Sequence, residues 1–241
     1  MERKNKLIIA IAIVSAIGIL AVAWGGTFLS GPDLSLGNKN ILVLASDKNE
    51  QPGGGVDMAF MVKLENGSIK NYTPIYPGGK EHPTQPAPGN LQGKMRLHDS
   101  LWNGPEEGMQ YAKEIVESNT GMHVDAVVVV YDEGLDAVID SIRPLKIDGG
   151  VETNLSATDI VRENDNYAGY KGRSSEITGT MSRGDSVMVL AKALSQAAAD
   201  PDKRNKMVQT ALSEYSKGNI LMTPKGSFIG LMGTKGLENV V

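Results

Sequence analysis

The stretch HVDAVVVVYDEGLDAVIDSI, residues 123–142, decides the fold class. Its first half, VDAVVVVYD (124–132), sets four valines in a row between two acids. β-Branched side chains fit a pleated, buried surface, so this segment reads as a strand. Its second half, EGLDAVIDSI (133–142), places Leu135, Val138, Ile139 and Ile142 three and four apart. That spacing gives a helix with one apolar face. A strand running straight into an amphipathic helix is the basic unit of an α/β fold.

Working outward, KNILVLAS (39–46) is an apolar run of strand length, the pattern of a central strand covered on both faces. DMAFMVKL (57–64) and SIKNYTPI (68–75) flank Asn66-Gly67, and Asn-Gly between two strands is the strongest short hairpin signal. YPGGKEHPTQPAPGNLQG (76–93) is broken by Gly and Pro and reads as a long irregular loop. PEEGMQYAKEIVESNTG (105–121) is a helix with Pro105 in its first turn, Glu106 and Glu107 at the positive dipole end and Gly121 as its stop. PLKIDGGVE (144–152) reads as one further strand, and residues 162–184 show no clear period. Asp185 caps a helix running to about Ala199, Asp200-Pro201 opens another that ends at Gly218, and NILM (219–222) suits a last strand. The order implies one α/β domain, 39–241, built as a mixed β-sheet sandwiched by helices.

The N-terminus has a different character. Arg3, Lys4 and Lys6 precede LIIAIAIVSAIGILAVAW (7–24), and no charge follows until Asp33. Extended to Leu29, the run is long enough as a helix for a hydrocarbon core of about 30 Å. The reading is a cytoplasmic tail at 1–6, a transmembrane anchor at 7–29, a polar linker at 30–38 and an extracytoplasmic domain beyond. A cleaved secretory signal would have a shorter apolar core. The sequons at Asn66, Asn71 and Asn154 are compatible with export. With a formal net charge of −4, nothing suggests a nucleic-acid surface, and the lack of cysteine excludes disulfides, thiolate metal sites and a cysteine nucleophile.

No G-x-S-x-G, H-E-x-x-H, Walker loop or complete dinucleotide fingerprint is present. The three histidines, His82, His98 and His123, share no metal-ligand spacing and read as surface or linker residues. Asp47 ends the first strand and Asp57 opens the second, a pairing that would bring two carboxylates together as a seat for Mg²⁺. Gly54 and Gly55 offer backbone amides to a phosphate. Arg96, Arg162 and Arg183 add guanidinium groups able to grip a pyrophosphate bidentately. Solvated loop charges are the bland alternative for all of them.

These residues, in this order, resemble the LytR-CpsA-Psr family of membrane-anchored cell-envelope proteins, and more closely a sister group, the domain of unknown function numbered 4012. The resemblance spans about 39–222. NILVLASD, ending at Asp47, is similar to the family's Ile-Leu-Leu-Leu-Gly-Ser-Asp stretch, and Gly55-Val56-Asp57-Met58 occupies the place of Arg-Ser-Asp-Thr. RLHDSLWNGPEEG matches a loop-to-helix segment at Arg96, and Arg162 and Arg183 match two later basic positions. The sister group carries Arg-Pro-Thr-Gly-Gly-Phe-Ile-Gly where this chain reads Gln51-Pro-Gly-Gly-Gly-Val-Asp-Met, and an Arg-Asp-x-Asn-Trp-like element resembling Arg96 to Trp102.

The resemblance implies a polyprenyl-linked pyrophosphate or wall glycopolymer as ligand, held by Arg96, Arg162, Arg183, Gly54 and Gly55, with Mg²⁺ on Asp47 and Asp57 and glycopolymer transfer as the reaction. Two departures open a second reading. The family's Ile-Pro-Arg-Asp is here Tyr76-Pro77-Gly78-Gly79, and the arginine of its second motif is absent. The alternative is a non-catalytic envelope scaffold or sensor that keeps the fold without the reaction.

Overall fold

The computed structural model describes residues 34–225, except 35, 67, 76–78, 148–149 and 167–178. The expected anchor at 7–29 and the segment 226–241 lie outside the described residues. Among those described, no helix is long and apolar enough to cross a membrane.

Five strands form the central sheet: β1 (Asn38–Asp47), β2 (Gly55–Glu65), β3 (Ser68–Ile75), β6 (Ala126–Tyr131) and β9 (Ile220–Thr223), in the order β3-β2-β1-β6-β9. β1 runs parallel to β6 and antiparallel to β2, and β9 returns antiparallel to β6. The sheet is therefore mixed, with the apolar runs of β1 and β6 side by side at its centre. β2 and β3 pair from Glu65↔Ser68 outward, and Asn66, after Glu65, takes φ 48°.

Alternation along the strands sorts the core into two layers. Ile41, Val43, Phe60, Val62, Val128 and Val130 face one side, packed on α2 (Asp132–Ser141), α3 (Ala157–Asn164), α4 (Arg183–Ala198) and α5 (Pro201–Ser216). Leu42, Leu44, Ala59, Met61, Val127 and Val129 face the other side, packed on α1 (Pro105–Thr120) and on Met95, Leu97 and Leu101. Each fully buried Leu, Ile or Val contributes roughly 1.5–3 kcal/mol, so the double-sided strands carry much of the stability. α1 buries Met109, Ala112, Ile115 and Val116 and stops at Gly121, whose φ of 70° lets its N–H reach Glu117 O.

Four local readings are corrected. Residues Glu81–Pro86 of the expected loop form β4, which pairs with β5 (Lys94–Arg96) in a ribbon outside the main sheet. The single strand expected over 144–152 is a hairpin of β7 (Leu145–Ile147) and β8 (Val151–Thr153), with Gly150 at φ 87° between them. α3 was not expected; Ser156 caps it by accepting from Asp159 N–H at 3.0 Å. α4 begins before Asp185: Ser182 is the cap, accepting from Asp185 N–H at 3.2 Å while its hydroxyl donates to Asp185 Oδ2 at 2.7 Å.

Candidate functional site

β1 and β6 are parallel, so their C-terminal ends share one edge of the sheet, where open α/β sheets bind ligands. Asp47 ends β1, Asp132 follows β6 as the first residue of α2, and Gly55–Asp57 opens β2 at the same edge. A register shift after Ala45 opposite Met58 and Val56 leaves Asp57 as the extra residue. Such bulges re-aim side chains near functional sites.

A polar pocket opens there, lined by Ser46, Asp47, Asp57, Asp132 and Thr158 with Ala45, Met58, Val130, Leu135 and Ala157. Asp47 Oδ1 accepts from Asn49 N–H at 2.9 Å, and Asp132 Oδ1 accepts from Lys48 N–H at 3.3 Å. The Lys48 ammonium lies 5.4 Å from the centre of the Tyr131 ring. Ser46 is 3% exposed, and its Oγ has no hydrogen-bond partner among the described residues. A buried hydroxyl of that kind calls for a water, cation or ligand oxygen.

Behind the polar pocket lies an apolar one, part of it open to solvent. It runs between the sheet and α4, bounded by Phe60, Val138, Val187, Leu190, Ala191 and Leu194. Ala45, Met58, Val130 and Leu135 line both, so the two spaces adjoin. The result is a greasy slot with an acidic mouth.

The glycines 53–55 are where the chain must pass tightly. A Cβ on Gly53, at φ 77°, would sit 1.9 Å from Leu101 O; one on Gly54, at φ 101°, would sit 2.6 Å from Ser46 Oγ. Tyr131 hydroxyl donates to Gly53 O at 3.4 Å. A Cβ on Gly55 would meet Glu50 Oε2 at 2.7 Å and His98 Cε1 at 3.0 Å. Beside it, ligand atoms of Glu50, Asp57 and His98 all lie within 4.8 Å of one another. Gln51 ties the two loops, its Nε2 donating to His98 O at 3.0 Å and to Gly54 O at 3.3 Å.

Of the residues singled out in the sequence, Asp47 and Asp57 line one pocket; beside it Gly54 ends the turn and Gly55 opens β2. Arg96 lines neither cavity; it is largely exposed, 3.8 Å from Glu81. Arg162 is half-buried in the last turn of α3, and Arg183 opens α4 with its side chain outside the described residues. Asp132, Glu50 and His98 were missed. Asp132 had a signal, its place directly after the valine strand; His98 had none, because its partners are brought in by the fold.

Charge at the mouth is unevenly tuned. Burial, aided by neighbouring Asp132, pushes the Glu133 carboxyl above the usual range. Burial also raises Asp136, although its Oδ1 accepts from Ala157 N–H at 2.7 Å. Carboxylates crowded at one edge repel an anion unless a cation stands between.

The model of a family described as "Protein of unknown function (DUF4012)" matches residues 37–167, more than half of the chain. The chain belongs to this family. The match takes in β1 through α3, hence the whole acidic mouth. No curated protein gives a significant match. Among solved structures, protein gbs0355 from Streptococcus agalactiae has a TM-score of 0.51 at 11% identity, covering 82% of this chain and 75% of that one. A protein titled transcriptional regulator (EF0465) from Enterococcus faecalis has a TM-score of 0.50 at 12% identity, covering 86% and 74%. Both share the overall fold. LytR-CpsA-Psr proteins stand among the structural neighbours; a LytR-Csp2A-Psr enzyme from Actinomyces oris is 18% identical over 90% of this chain and 80% of that one, with a TM-score of 0.48.

Proposed function

We propose that this family member is a membrane-anchored, extracytoplasmic cell-envelope protein that binds a polyprenyl-linked pyrophosphate or its glycopolymer conjugate. The observation that carries the reading is the apolar slot adjoining a mouth of three aspartates. An isoprenoid tail suits the slot, since burying apolar surface stabilises by about 25 cal/mol per Å². A pyrophosphate suits the mouth only through a divalent cation. Mg²⁺ fits the donor set there, because Asp47, Asp57 and the orphan Ser46 hydroxyl are all hard oxygen donors. Asp47 and Asp57 would hold the ion, which would supply charge for phosphate binding. Arg162 and Arg183 remain candidates for the phosphate oxygens, together with Arg96 if it leaves Glu81. The anchor at 7–29 would present the slot to lipid-borne substrate.

The test is direct binding to the full chain in detergent, comparing polyprenyl pyrophosphate with inorganic pyrophosphate. Ala191→Trp fills the slot and Ala191→Leu fills it partly. Both should weaken the long-chain lipid, by tenfold or more for Trp, while leaving inorganic pyrophosphate unchanged. Equal lipid affinity in wild type and Ala191→Trp would sink the reading. A second reading, a non-catalytic envelope scaffold or sensor, is favoured by Tyr76-Pro77-Gly78-Gly79 standing where the LytR-CpsA-Psr pattern that this chain resembles has Ile-Pro-Arg-Asp. Metal-dependent transfer of a lipid-linked glycan to an acceptor would exclude it.

A further inference from the structure

We infer that Glu50, Asp57 and His98 form a second kind of cation site, one for a first-row transition metal, on the outer side of the glycine turn. It shares Asp57 with the Mg²⁺ seat of the lipid reading but adds Glu50 and His98, which that reading does not use.

Three observations carry it. First, the donor set is one imidazole nitrogen and two carboxylates, with all three ligand atoms within 4.8 Å of one another. Imidazole suits Zn²⁺, Fe²⁺ or Ni²⁺ and is a poor ligand for Mg²⁺, whereas carboxylates also accept Mn²⁺. Second, His98 is pre-oriented. Its Nδ1 lies 3.0 Å from Val56 O, which can only accept, so Nδ1 carries the proton. The lone pair then sits on Nε2, which faces Glu50 Oε1 at 3.8 Å. A backbone carbonyl fixing the tautomer of a ligating imidazole is the usual outer-shell support of metal sites. Third, Gly55 forms the floor. Any Cβ there would fall against Glu50 and His98, so the space between them exists because the residue is glycine.

The geometry needs little change to close. Two atoms bonded to one ion at about 2.1 Å can be no more than about 4.2 Å apart. The Glu50 side chain is 43% exposed and able to swing inward. Three protein ligands at a solvent-facing position leave coordination sites for water or a ligand oxygen, as in catalytic rather than structural zinc sites. The competing account is a plain His98–Glu50 ion pair.

The experiment titrates full-length protein in detergent with Zn²⁺, Co²⁺ and Mg²⁺, following heat and the visible absorbance of Co²⁺. Wild type should bind one equivalent of Zn²⁺ at least 100-fold more tightly than Mg²⁺. Glu50→Gln, a surface change that leaves the fold alone, and His98→Ala should each weaken Zn²⁺ tenfold or more, and Gly55→Ala should weaken it with every ligand present. Glu65→Gln, at the far end of β2, should change nothing. In ¹⁵N spectra, Zn²⁺ should shift His98 Nε2 and spare Nδ1. Unchanged Zn²⁺ affinity in Glu50→Gln and His98→Ala overturns the inference. Loss of lipid binding with Zn²⁺ binding intact would strike only the lipid reading.

Discussion

Single residues set the shape of the mouth, and two of them give sharp tests. Gly53→Ala combines a left-handed backbone, disfavoured by about 1–2 kcal/mol, with a methyl group driven into the Leu101 carbonyl. Overpacking adds about 1–3 kcal/mol, so denaturant unfolding should show a loss of about 2–5 kcal/mol. Asp136 gives a test in pH. Burial raises its folded pKa, so the folded state holds the proton better than the unfolded chain and the charged form is a burden. Wild type should lose stability relative to Asp136→Asn as pH rises through the window between its ordinary and raised values. Above that window the gap stays constant, and it closes in acid. The asparagine keeps an oxygen for Ala157 N–H; a gap that widens in acid would contradict the assignment. Site residues differ in how far the sequence reveals them. Asp47 and Asp57 follow from strand ends, which periodicity locates. His98 becomes a candidate ligand only once a turn 40-odd residues upstream is folded against it.

Elements were legible where a period ran unbroken. β1, β6, α1, α2 and α5 each present one pattern over a full length, and the structure keeps them nearly at the expected bounds. The misses share a cause: punctuation outweighed pattern. β4 contains Pro83 and Pro86, which argue against a strand, yet it lies in a two-stranded ribbon where missing amide donors are tolerated. α3 is only eight residues long, too short for periodicity, and its one clear cue is Ser156 with Asp159 three residues on. Capping at α4 provides the element-scale test. Ser182→Ala removes the hydrogen bond to Asp185 N–H and should cost about 1 kcal/mol. Asp185→Asn, which keeps the Ser182 cap, should cost less; equal losses would shift the capping role to Asp185.

At the scale of the molecule, the sheet divides the core into two apolar layers that do not mix. Ile115 of α1 belongs to one and Ile139 of α2 to the other, both fully buried. Ile115→Val and Ile139→Val should each cost about 0.5–1.5 kcal/mol. The double variant should equal their sum within about 0.5 kcal/mol, as for distant sites without shared partners; a larger departure would mean the layers communicate through the strands. One further consequence lies in the length of β1. Ten residues at about 3.3 Å each separate Asn38 from Asp47 by roughly 30 Å, so the chain enters the domain at the end remote from the acidic mouth. Under the anchoring proposed above, a globule moored upright at its entry point would hold that mouth a strand's length above the bilayer. To meet a headgroup it would have to topple sideways, and because Leu34 is already fully buried in the core, only residues 30–33 stand between that anchor and the domain. Deleting residues 30–33 should abolish capture of lipid in vesicles while sparing a water-soluble short-chain pyrophosphate, a difference that flotation and calorimetry together would read.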